Sequence, residues 1–156
     1  MVKGEQMTVE QIADPLCHEI MAARQDGAIH CGILSGAATV DDVAIAFGLR
    51  PNSAVNYREI DRSLALDIAT RVLHRDLAYS SVIGPLDRSC DLARRFLESF
   101  VEPALCFTNA SFRPDDRYPR GITLSGWSPA TDSTFDTGII VLGKDRAGCL
   151  WVEDED

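Results

Sequence analysis

Three histidines, His18, His30 and His74, share the chain with five cysteines, and two of them adjoin a thiol, in Cys17-His18 and His30-Cys31. Thiolates and imidazoles are zinc ligands and also the two halves of a Cys–His nucleophile. Adjacent residues point apart on a helix or a strand, however, and zinc sites bring their ligands in spaced pairs, so the expectation is no metal and no cofactor. The serines in GILSG and SGWSPA lack the flanking glycines of a nucleophile elbow, and the glycines near the C-terminus fall in no phosphate-binding frame. No residue is marked as catalytic. A small hydrolase or transferase with a Cys/His or carboxylate site between helices and sheet stays as the alternative, and it requires a pocket holding one of the histidines beside a cysteine.

The carboxylates are distributed more pointedly. The chain carries 15 Lys+Arg and 24 Asp+Glu, a net charge of -9. Residues 101–156 hold ten acids against five bases and so contribute -5 of it. In this stretch Trp127 precedes Asp132 and Asp136, and Trp151 stands directly before Glu153, Asp154, Glu155 and Asp156 after one valine. Tryptophan is enriched at binding hot spots, and clustered carboxylates speed the capture of a basic partner. These eight residues are therefore the expected binding interface. The plainer reading makes the two tryptophans core anchors and the acidic end a solvated tail.

Length and composition bound the rest. At 156 residues, 46% apolar and 25% charged, the chain suits a single domain (1–156) with a real core. Its negative charge repels phosphate backbones and anionic lipid heads, so nucleic acid and membranes are not the expected partners. The N-terminus lacks the apolar stretch of a secretory signal, and the odd, irregularly spaced cysteines read as reduced thiols, which together imply the cytoplasm.

The elements that must position these residues follow from periodicity. A first helix begins either at the capping box Thr8-Val9-Glu10-Gln11 or at Asp14-Pro15 and runs to about residue 25. Ala28 to Ser35 is a strand or an irregular crossing. The capping box Thr39-Val40-Asp41-Asp42 starts a short helix through Ala46 that Gly48 stops. From about Glu59 to Tyr79, Ile60, Leu64, Ile68, Val72, Leu73 and Leu77 form one apolar face, with Asp61, Asp67, Arg71 and Arg75 turned away from it. A fourth helix follows Gly84-Pro85 and turns Cys90, Ala93, Phe96, Leu97 and Phe100 inward. Strands are then expected at Leu105 to Phe112, Ile122 to Trp127, Phe135 to Leu142 and Cys149 to Glu153, the last two joined as a hairpin. The predicted fold is α+β: about four N-terminal helices (about 8–102) on one face of a C-terminal antiparallel sheet of three to five strands (about 104–153). A terminal strand at a sheet edge would also offer an isologous homodimer contact.

The last third, GWSPATDSTFDTGIIVLGKDRAGCLWVEDED, together with the small size and acidity, resembles the bacterial immunity proteins of contact-dependent and polymorphic toxin systems. That resemblance implies a non-catalytic protein that binds one cognate toxin or effector, often basic, and blocks its active surface. The expected function is thus neutralisation of a basic protein partner.

Overall fold

The computed structural model describes residues 10–36 and 39–156. Its secondary structure is α+β, with four helices and eight strands among the described residues. Thr8 lies outside them, and Glu10–Ile12 forms a short strand, β1. Helix α1 (Pro15–Ala23) uses the second of the two expected starts: Asp14 caps it by accepting from Leu16 N at 2.9 Å, and Pro15 occupies the first turn, where no amide donor is needed. The open segment is a strand, β2 (Ala28–Ser35). The second capping box closes as expected at α2 (Val40–Ala46), with Asp42 N donating to Thr39 Oγ1 and Thr39 N to Asp42 Oδ2, both at 3.1 Å. Gly48 follows at φ +76°, the left-handed conformation that ends a helix.

The long helix is shorter than its pattern. Strand β3 (Arg58–Ile60) takes its expected first turn, Asp61 caps α3 (Arg62–His74) through Leu64 N, and the chain leaves the helix at Arg75. Helix α4 spans Leu86–Glu98. The expected strand from Leu105 to Phe112 divides at Asn109 into β4 (Leu105–Thr108) and β5 (Ala110–Pro114), which join different sheets. Strands β6 (Ile122–Trp127), β7 (Phe135–Leu142) and β8 (Ala147–Asp154) complete the chain.

Six strands form one sheet in the order β1-β2-β8-β7-β4-β3, antiparallel throughout, and β5 pairs with β6 in a separate ribbon. The sheet is larger than expected because three of its strands come from the first part of the chain. Two of those, β1 and β3, are three residues long, too short to show a period of two. The β7–β8 hairpin forms as predicted, with Leu142 opposite Ala147. Strand β8 is not at an edge: it is bonded to β2 on one side and β7 on the other, so it has no free edge to lend to a second copy.

Side chains alternate between two cores. Ile139, Val141, Leu150 and Val152 face α1, α3 and α4, whereas Ile140, Cys149 and Trp151 face α2, Leu49, Val55 and Tyr57. The helices therefore do not all share one face. Helix α2 covers the other, which is why β7 and β8 read as nearly continuous apolar runs. Helix α3 is also covered on the side its pattern assigns to solvent. The 115–122 segment lies over it, and both Arg71 and Arg75 donate to Ile122 O, at 3.1 and 3.2 Å. No helix among the described residues is long and apolar enough to cross a membrane.

Candidate functional site

The expected interface residues are carried to the end of the sheet where β7 begins and β8 finishes, but their roles diverge. Trp151 is fully buried in the second core, edge-on to Tyr57 at a centroid distance of 6.0 Å. Asp136 is equally buried. It accepts from Trp151 Nε1 at 3.1 Å, Asn109 Nδ2 at 3.0 Å, Thr131 Oγ1 at 3.0 Å and the amides of Ala130 and Thr131. These two are structural, because a carboxylate held by that many donors folds the 128–136 loop onto the sheet and offers nothing to a partner. Trp127 is half-buried against Phe135 at 5.2 Å, and exposed Asp132 pairs with Arg50.

Asp154 is buried as well. Its carboxylate accepts Arg24 Nη1 and Nη2 at 3.0 and 2.6 Å, and also takes Leu77 N at 2.9 Å. Arg24 in turn donates from Nε to Val72 O at 2.6 Å. One ion pair thus ties the end of α1, the end of α3 and the end of β8 together. Beyond Leu77 the chain turns sharply: Asp76 Oδ1 accepts from Tyr79 N at 3.1 Å and Ser81 N at 2.9 Å, and Ser80 sits at φ +57° with its hydroxyl accepting from Arg71. That fixed turn holds Tyr79 and Val82 outward, 69% and 60% exposed.

Beside it lies an acidic hollow of about 520 Å³. Asp26, Asp76, Glu153, Asp154 and Glu155 supply its carboxylates, and no Lys, Arg or His lines it. Gly27, at φ +63°, brings the chain into β2 so close to β8 that an added Cβ would lie 2.2 Å from Glu153 O. Glu153 meets His30 Nε2 at 2.5 Å and accepts from Ser133 Oγ at 2.7 Å. Burial opposes its charge, but those two hydrogen bonds prevail and hold the carboxyl below its ordinary value. Glu155 accepts from Thr134 Oγ1 at 2.6 Å, and Asp156 is exposed at the chain end. Asp26, Asp76 and Glu155 meet no cation within ion-pair distance among the described residues.

Of the expected interface residues, Glu153, Asp154 and Glu155 line this hollow, together with Asp26 and Asp76, which the sequence pattern did not single out, as it did not single out Tyr79 and Val82. An exposed aromatic in the polar turn DLAYSSV, directly after a helix, was the available signal.

The thiols bear on the catalytic alternative. Cys17, Cys31, Cys106 and Cys149 are buried. A hydrogen bond with Cys17, followed by burial, pushes the Cys31 thiol far up, burial does the same to Cys149, and it takes Cys106 to about 11. Such thiols resist forming the nucleophilic thiolate. Cys90 is exposed and lines a cavity that also contains His74, but His74 directs Nδ1 to Gly84 O at 2.7 Å and its Nε2 meets no partner, the Cys90 sulfur included. No three His, Cys, Asp or Glu side chains gather as a metal-binding set among the described residues. Compared with protein-family models, curated proteins and solved structures, the chain gives no match.

Proposed function

We infer that this chain is a binding protein that captures a basic protein partner at the acidic end of its sheet, the stoichiometric, non-catalytic neutralisation that its resemblance to immunity proteins implies. The observation that carries this reading is the hollow free of basic side chains, directly beside a rigid turn that exposes Tyr79 and Val82. Unpaired carboxylates raise the encounter rate with a cationic surface, and an exposed tyrosine beside an aliphatic side chain is the kind of anchor that dominates interface energy. The turn is held by backbone amides donating to Asp76 and Asp154 and by Arg71 donating to Ser80, so little ordering is needed on binding.

A tagged chain is incubated with extract of its own cells at low and moderate salt, and the retained companion is purified for kinetics against variants. Asp26→Lys with Glu155→Lys should slow association and flatten its salt dependence, while Tyr79→Ala should speed dissociation. Both substitutions lie outside the core, unlike a change at Asp136. Recovery of the chain alone at both salts, or a companion held equally by all variants, would overturn the reading.

A further inference from the structure

A second concavity, of about 690 Å³, lies between α3, α4 and the 115–122 loop, on the opposite flank of α3 from the sheet. That volume falls within the range of sites for small organic ligands. Its lining inverts the charge of the molecule: five arginines and His74 against the three carboxylates of Asp67, Asp87 and Glu98, in a chain of net charge -9. Four of those arginines already face acids, Arg62 with Glu102, Arg75 with Asp115, Arg94 with Asp91 and Glu98, and Arg120 with Asp67. Arg71 does not. It is 4% exposed, and its three hydrogen bonds go to neutral oxygens: Ile122 O at 3.1 Å, Arg75 O at 2.8 Å and Ser80 Oγ at 3.0 Å. A guanidinium has five N–H groups, so Nη1 and Nη2 each keep one without a protein acceptor.

A buried charge with no carboxylate in ion-pair contact is costly, and burial, with Arg75 second, pulls the Arg71 guanidinium down to about 10 against the opposing pull of Asp76 and Asp115. The same wall holds two more unmet groups. His74, 7% exposed, directs Nδ1 to Gly84 O and leaves Nε2 without a partner, and the neighbouring Arg75 Nε is unpartnered as well. Native interiors rarely leave such groups unmatched; the His74 and Arg75 nitrogens lie shut off from solvent where α3 ends, and Arg71 is the unmatched cation that lines the cavity itself. Apolar side chains also line the cavity, with Leu66, Leu86, Leu97 and Pro119 along it.

We propose that this cavity binds a small amphipathic organic anion, its charged oxygens on the free N–H groups of Arg71 at the His74 end and its apolar body along Leu66, Leu86 and Leu97. The chain's overall negative charge works against adventitious anion binding elsewhere on its surface. The site lies apart from the acidic hollow and does not depend on the partner-binding reading.

The test uses the full chain and the fluorescent probe anilinonaphthalene sulfonate, displaced in parallel by decanoate and by its neutral isostere decanamide. The expected result is one probe site per chain, with decanoate displacing the probe at least tenfold more effectively than decanamide. Thr70→Trp, which fills the cavity and leaves the arginines in place, should abolish probe binding without changing the circular dichroism or the melting profile. Arg71→Met should erase the tenfold preference for the carboxylate. Equal displacement by the two competitors, or wild-type probe binding by a folded Thr70→Trp chain, would overturn the proposal. If Arg71→Met fails to fold, those two readouts still decide it.

Discussion

Asp154 belongs to a run of four acids before the chain end, and a solvated acidic tail predicts that removing one of them changes nothing. The structure predicts the opposite. The Arg24 side chain is 0% exposed and that of Asp154 5%, so their pair is out of water. Breaking a buried ion pair from one side costs about 3–5 kcal/mol, because the remaining charge stays desolvated, and an orphaned buried amide costs about 1–3 kcal/mol more. Asp154→Ala does both, stranding Arg24 and Leu77 N. Allowing for overlap, we expect a loss of about 4–6 kcal/mol, comparable to the entire stability of many single domains. Equilibrium urea unfolding followed by tryptophan fluorescence measures it, since Trp151 lies on the same strand. Adding Arg24→Met to Asp154→Ala should restore about 2 kcal/mol by removing the stranded charge. A loss below about 1 kcal/mol, the value of a surface pair, would refute the reasoning. So would a double variant no more stable than the single one.

Other outcomes follow from the same geometry. Asp136→Asn places an amide among donors from Trp151, Asn109, Ala130 and Thr131, and should lower stability by about 3 kcal/mol in the same urea assay, whereas Asp132→Asn, on an exposed pair, should cost less than about 1 kcal/mol. Hydrogen bonds from Arg117, joined by those from Arg75 and Thr123, hold the Asp115 carboxyl well below the usual carboxylate range. A depressed folded value gives stability that is full above the unfolded value of about 4 and is lost as pH falls below it. Urea midpoints taken from neutral pH down to acid should therefore fall below about pH 4, and Asp115→Asn should flatten that slope. Titration with a thiol reagent should find one fast cysteine, Cys90, in the native chain and all five in denaturant. Two or more fast native thiols would contradict the packing of the cores.

Local physical chemistry was legible in the sequence. The Thr39–Asp42 capping box, the stop at Gly48, the Asp14-Pro15 helix start and the β7–β8 hairpin each depend on residues a few positions apart, and each forms as its chemistry requires. The order of helical and strand-like patterns likewise pointed to α+β, and the share of apolar residues to a substantial core. Only the tertiary structure decided where the charged residues go. A charge reads as solvent-facing because burial is costly, and that inference fails when the compensating group comes from a distant segment. Arg24 reaches Asp154 across 130 positions, Asn109 reaches Asp136 across 27, and the 115–122 loop covers Arg71 and Arg75. For the same reason the strand that carries the acidic ending lies inside the sheet and Asp154 is buried: β2 pairs along β8, a long-range pairing that no local period records. The exposed anchor at Tyr79 and the cavity beside Arg71 are products of that folding, since each lies where segments remote in sequence are brought against α3.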